Sequence, residues 1–168
     1  AEENEGGGRV MIEEGLFDKF PVDSVYGMHN MPGIPAGEFA IRPGPIMASF
    51  DIFEITLTGT GTHAALPQLG RDSIVAGAQL VTALQTIASR TIGPFEAAVV
   101  SVTQIHGGDT WNVIPEEVVI RGTTRAFKEE TQTHMEAEIR RITDGIAATF
   151  GIDAKVSGWT GYSSCTKT

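Results

Sequence analysis

Residues 50–66 read FDIFEITLTGTGTHAAL. Phe53, Ile55 and Leu57 alternate with Glu54, Thr56 and Thr58, the period of a strand that buries one face and wets the other. A glycine-rich turn follows and delivers His63 at the strand's end, where Gly59, Thr60, Gly61 and Thr62 let the backbone turn tightly and leave the imidazole exposed. What lies on either side decides which fold this strand belongs to.

Downstream, Asp72 is suited to cap a helix, and Ile74, Ala78, Val81, Leu84 and Ala88 fall on one helical face that ends before Gly93-Pro94. AAVVSVTQI (97–105) and EEVVIRGTTRAF (116–127) read as two further strands joined by the loop HGGDTWNVIP (106–115). A second helix is expected from Glu129 to Phe150, with Met135, Ile139, Ile142, Ile146 and Phe150 as its apolar stripe, acidic residues at its start and Gly151 at its end. DAKVSGW (153–159) supplies a fourth strand. The order is β-α-β-β-α-β, which predicts an α+β unit: a four-stranded antiparallel sheet with two helices on one face, of the ferredoxin-like type. Such a sheet leaves its other face and its two edges open to a partner subunit.

Upstream, Pro43-Gly44-Pro45 cannot continue a regular element and marks a boundary. Before it, RVMIEEGLFDKF (9–20) has the spacing of one short amphipathic helix, VDSVYGMH (22–29) is strand-like, and NMPGIPAGEF (30–39) is a loop. The chain therefore divides into residues 1–45, residues 46–160, and a short tail, 161–168, that fits no element.

The 168 residues carry 12 Lys and Arg against 21 Asp and Glu, a formal charge of −9 that repels phosphate backbones, so nucleic acid is not an expected partner. No apolar run is long enough to span a bilayer, and Cys165 is the only cysteine, so neither a membrane nor an internal disulfide is expected and a cytoplasmic protein is the default. The first residue is Ala1 rather than Met, and the chain reads as a fragment with a cut end.

Few residues can carry chemistry. Glu2 and Glu3, running into glycines, suit neither helix nor strand. His29 stands where a strand-like stretch meets a Pro-rich loop, the kind of place where a scaffold presents ligands. Each taken alone reads as a solvated surface residue. Taken together, one imidazole and two carboxylates form an N/O set suited to zinc or a similar divalent ion, with one carboxylate free to move a proton, although a catalytic zinc needs three protein ligands. His63 reads alone as a turn histidine and Asn112 as a turn asparagine. His106-Gly107-Gly108 is similar to an esterase oxyanion loop, yet the chain holds no GxSxG elbow. His134 falls on the polar side of the second helix.

The assembled stretches AEE with GGG and Met11, GMHNMP (27–32), GPIMASFD (44–51), FEITLTGTGTHAALP (53–67), WNVIP (111–115) and IRGTTR (120–125) resemble the metal-dependent amidohydrolases. That group includes hippurate hydrolases, N-acyl-amino-acid aminoacylases, plant auxin-conjugate hydrolases and related zinc carboxypeptidases. The resemblance runs from residue 1 to about residue 158. It implies a lid and dimerisation domain over 46–160 and a remnant of an α/β catalytic domain over 1–45. It further implies that Glu2 is the general base and acid, that Glu3 and His29 ligate a divalent metal, zinc or manganese, and that His63 and Asn112 reach a partner subunit's active site. There the histidine would steady the oxyanion and the asparagine would contact substrate. The implied partners are a second copy of the chain and a small N-acyl amino acid or peptide whose amide bond is hydrolysed. The family's upstream ligand segment and its last histidine are absent, which implies that this chain by itself binds metal loosely or not at all. Two other readings stand beside this one: a dimerisation module without chemistry, and a residual esterase acting on activated esters.

Overall fold

The structure is a computed structural model that describes residues 7–159. Glu2, Glu3, Cys165 and the tail 161–168 lie outside the described residues. The chain forms two compact units that divide after Gly44.

In the first unit, α1 (Gly7–Glu13) and α2 (Leu16–Lys19) replace the single helix expected over 9–20. Gly15 between them has φ of 82°, a left-handed conformation that ends one helix and starts the next. The strand expected in residues 22–29 does not form, because the described residues of this unit offer no second strand for it to pair with.

The second unit is built on β1 (Asp51–Thr58), whose residues alternate between buried and half-buried along its whole length. Near its end come β2 (Thr62–His63) and then α3 (Ser73–Thr86), β3 (Ala98–His106), β4 (Val113–Ile114), β5 (Glu117–Ala126), α4 (Glu129–Phe150) and β6 (Asp153–Ser157). The sheet order is β3-β5-β1-β6 and every pairing is antiparallel. The expected α+β architecture is therefore the observed one, with β2 and β4 forming a separate two-stranded ladder.

Both helices pack on one sheet face. Phe53, Ile55 and Leu57 of β1 and Val118 and Ile120 of β5 meet Leu80, Leu84 and Ile87 from the first helical arm and Met135, Ile139 and Ile142 from α4. Full burial of such side chains is worth about 1.5–3 kcal/mol each. The Asp72 carboxylate caps α3 by accepting the Val75 N–H at 3.0 Å. At the end of α4, Gly151 turns left-handed and the Ile152 N–H donates to the Ala147 carbonyl at 3.1 Å.

One packing face differs from expectation. The buried stripe of α3 is Ala76, Gly77, Leu80 and Leu84, whereas Ile74, Ala78 and Ala88 face outward. This helix is apolar on several sides, so spacing alone does not select a face. Contact with the sheet does: around Gly77 lie Val118, Ile120 and Leu57, and the small residues there let the helix axis approach the strands closely.

The entry into β1 is fixed by polar contacts. Asp51 is fully buried and accepts hydrogen bonds from the Thr124 hydroxyl at 3.0 Å and from the Gln132 amide at 2.7 Å, which ties β1 to β5 and to the first turn of α4. Just before it, the Ser49 N–H donates to the Ala126 carbonyl at 2.6 Å and the Ser49 hydroxyl accepts the Ala126 N–H at 3.2 Å. Buried polar groups satisfied on both sides hold one geometry, so the second unit begins rigidly at Ser49.

Candidate functional site

The turn after β1 is built from backbone hydrogen bonds. The Gly59 N–H donates to the Glu116 carbonyl at 2.7 Å, and Thr60 and Arg71 exchange both of their backbone bonds at 3.0 Å. Ser73, fully buried at the start of α3, donates its hydroxyl to the Pro115 carbonyl at 2.8 Å. These bonds bring the segment after β1 and the segment before β5 side by side, and there β2 and β4 pair: Thr62 with Ile114, His63 with Val113.

His63 thus sits on a short rigid platform, exposed at its surface. Its Nδ1 accepts the Ala65 N–H at 3.1 Å and its carbonyl accepts the Leu66 N–H at 2.8 Å. A nitrogen that accepts from a backbone N–H carries no proton, so the neutral ring keeps its proton on Nε2. His63 Nε2 has no protein partner among the described residues. The side chain is a fixed hydrogen-bond donor aimed away from its own backbone.

Asn112 joins the same platform. Its carbonyl accepts the Ala64 N–H at 2.9 Å, and its Oδ1 accepts the Thr110 hydroxyl at 3.4 Å. With Oδ1 engaged, the amide Nδ2 remains a second donor, on the residue next to Val113, the partner of His63 in the ladder.

His29 carries the opposite tautomer. It is exposed in the first unit, and its Nδ1 lies 2.7 Å from the Asn30 carbonyl oxygen. A carbonyl only accepts, so Nδ1 holds the proton and Nε2 presents a lone pair. This is the arrangement in which a histidine ligates a metal, its remote nitrogen bound and its other nitrogen oriented by a carbonyl. Among the described residues no group of three His, Cys, Asp or Glu is placed to hold an ion.

The other histidines are engaged. His106 Nε2 is 3.3 Å from Gln104 Oε1, which also accepts from Arg121, itself paired with Glu54 at 2.6 Å across the open sheet face. His134 is half-buried, with Nε2 3.1 Å from the Thr91 hydroxyl. Groups away from the β2–β4 platform have displaced protonation equilibria. The hydrogen bond that Lys128 donates to Glu96 holds its ammonium above the usual range, and the one Arg141 donates to Glu138 holds that carboxyl below its usual range.

Beside the platform lies an open groove lined by Ile74, Gly107, Gly108, Asp109, Trp111 and Val113 among others. Trp111 is fully exposed at its rim. An indole in water forgoes burial of roughly 150–250 Å2, a large apolar surface to leave uncovered. The groove was not visible in the sequence, since Ile74 reaches it from α3, far along the chain.

A split β-α-β-β-α-β sheet with both helices on one face defines a ferredoxin-like α+β module. The chain belongs to the M20 family of peptidases, whose peptidase dimerisation domain matches residues 51–149. It is 42% identical over 161 residues to the N-acetyl-L-cysteine deacetylase of Bacillus subtilis, covering 96% of this chain and 38% of that protein. It is 40% identical to the hippurate hydrolase of Campylobacter jejuni, covering 94% of this chain and 41% of that protein. Among solved structures, the Bacillus subtilis YXEP protein, described as a dinuclear metal binding peptidase from the M20 family, superposes with a TM-score of 0.72 at 34% identity, over 95% of this chain and 38% of the other. The chain spans about two fifths of the length of these relatives. No helix among the described residues is long and apolar enough to cross a membrane.

Proposed function

We propose that residues 46–160 are the lid and dimerisation domain, and residues 1–45 a catalytic segment, of a cytoplasmic metal-dependent amidohydrolase that cleaves the amide bond of N-acyl amino acids. The observation that carries this reading is a pair of histidine contacts: the Ala65 N–H on His63 Nδ1 in one unit, which leaves a donor at Nε2 of the neutral ring, and the Asn30 carbonyl beside His29 Nδ1 in the other, which leaves a lone pair at that ring's Nε2. The names of the relatives, deacetylases of N-acetylcysteine and a hippurate hydrolase, support the substrate class.

In this reading Glu3 and His29 contribute to holding a divalent ion, zinc or manganese, which when bound polarises the amide carbonyl and acidifies water. Glu2 takes the proton from the attacking water and returns it to the leaving amine. His63, acting in the site of a second copy of the chain, donates Nε2–H to the carbonyl oxygen as it gains charge. A neutral imidazole with this proton already in place needs no reorganisation to do so. Asn112 offers its amide N–H to a substrate acceptor beside that carbonyl.

The test is hydrolysis of N-acetyl and N-benzoyl amino acids by the longest open reading frame that contains this segment, with zinc, manganese or chelator, and with Glu2→Gln, His29→Ala and His63→Ala. Chelator-sensitive amide cleavage lost in Glu2→Gln supports the proposal. Cleavage of activated aryl esters alone, unaffected by chelator, would point to a residual esterase, and a stable dimer without turnover to a module that does no chemistry. The match to a dimerisation domain is the observation that keeps that last reading in view.

A further inference from the structure

We infer that the groove between α3 and the 107–113 loop is the subsite for the acyl group of the substrate, and that Trp111 selects an apolar, preferably flat aromatic acyl chain; this rests on the amidohydrolase reading above. Position comes first. Val113 stands directly across from His63 in the β2–β4 ladder, and opposed residues in a ladder share a face. Val113 lines the groove, so the groove adjoins the platform at the residue that faces His63 across the ladder. A substrate whose carbonyl oxygen meets His63 Nε2 has its acyl chain, bonded to that same carbonyl carbon, within reach of the groove.

Shape comes second. Without a side chain, Gly107 lies close against β5 and α3 at one wall of the groove. A Cβ on Gly107 would lie 2.7 Å from Val118 Cγ2 and 3.3 Å from Ile74 Cδ1, and Gly108 has φ of 77°. The open volume is about 470 Å3, within the range of small-molecule sites. Ile74 and Val113 wall it and Trp111 stands exposed at its rim. The backbone on the C-terminal side of Trp111 is held in place, because the neighbouring Asn112 carbonyl is bonded to Ala64 and the loop's far end is bonded to Ser73 through Pro115.

Charge decides which end of the substrate enters. Among the described residues, the only ionisable one lining the groove is Asp109, an acid, and no Lys or Arg lines it. An N-acyl amino acid has one anionic end and one uncharged end. The carboxylate is repelled and the acyl group is not.

Two experiments test this. In the first, this chain is titrated with N-benzoylglycine and, separately, with N-acetylglycine, while the indole N–H resonances of Trp111 and Trp159 are followed by NMR, the Trp111 signal being identified by its loss in Trp111→Phe. The expected result is a saturable Trp111 shift with N-benzoylglycine at about millimolar affinity, as befits a fragment in an open site, and at least tenfold weaker response to N-acetylglycine. No Trp111 shift, equal shifts for both compounds, or a shift that tracks protein concentration and so reports a second copy covering the groove would each overturn the inference. In the second, Trp111→Ala and Ile74→Ala are made in the longest open reading frame. Each is expected to lower the benzoyl-to-acetyl ratio of kcat/KM on the order of tenfold, benzoyl turnover falling further than acetyl turnover. Equal losses on both substrates would assign Trp111 a merely structural part. If the parent cleaves neither amide, the amidohydrolase reading fails, and the indole titration still decides the groove.

Discussion

At the scale of single residues, the chemistry of this chain turns on which nitrogen of each histidine holds the proton. The Ala65 N–H leaves His63 a donor at Nε2, and the Asn30 carbonyl leaves His29 a lone pair at Nε2. Nitrogen-15 NMR at a pH where both rings are neutral should therefore show His63 protonated on Nε2 and His29 protonated on Nδ1. The same tautomer at both positions would remove the division of labour proposed for them. In the amidohydrolase reading, His63→Ala is expected to lower kcat by about 10²–10³, the usual cost of losing one oxyanion donor, with KM little changed. His63→Gln, which keeps an N–H donor on a side chain of similar reach, should recover part of that loss. His63→Phe, which keeps the ring but not the donor, should recover none.

At the scale of elements, two substitutions report on how the sheet and helices fit. Gly122 on β5 is buried opposite Phe53, and a Cβ there would run into the Phe53 ring and the Ser101 carbonyl. Gly122→Ala should destabilise the domain by about 2–3 kcal/mol, read as a lower urea midpoint at unchanged slope. Thr143, fully buried on α4, has a hydroxyl with no hydrogen-bond partner among the described residues. Thr143→Val keeps the shape and removes that orphan group, so the domain should gain about 1 kcal/mol and melt a few degrees higher. These contacts also show where sequence reading succeeds and stops. β1, β5 and α4 were legible because each alternates or repeats against a single buried face, and local pattern then carries tertiary information. The buried face of α3 was not, since an apolar helix leaves its orientation to the sheet. The strand expected over 22–29 failed for a related reason: a strand is defined by a neighbour, and that neighbour is not in the local sequence. The exposure of His63 was legible from the glycines before it. Its tautomer was not, because that depends on one backbone N–H two residues on, and the β2–β4 ladder depends on a pairing between residues some fifty positions apart.

At the scale of the whole molecule, the proposed pairing of two copies needs a surface of the sheet that is free to accept it. The sheet ends in two edges, β3 and β6. A free edge offers unpaired N–H and carbonyl groups to another chain, and proteins that remain monomeric blunt such edges. β6 is short and carries Lys155 toward solvent, a blunting charge, whereas β3 runs for nine residues and leaves Val99 and Ile105 about half exposed. The longer and more apolar edge is the better template, although the register shift between Val102 and Gln104 limits continuous pairing to either side of it. Dimerisation is therefore expected to run through β3. Sedimentation equilibrium should show that Val99→Lys and Ile105→Lys each weaken self-association by about tenfold or more, since a desolvated charge then has to enter the contact, while far-UV circular dichroism stays unchanged because neither side chain belongs to the core. Lys155→Glu on β6 should leave association unaltered. If the β6 variant dissociates the pair and the β3 variants do not, the wrong edge has been assigned, and His63 would have to reach a partner's site around the opposite side of the sheet.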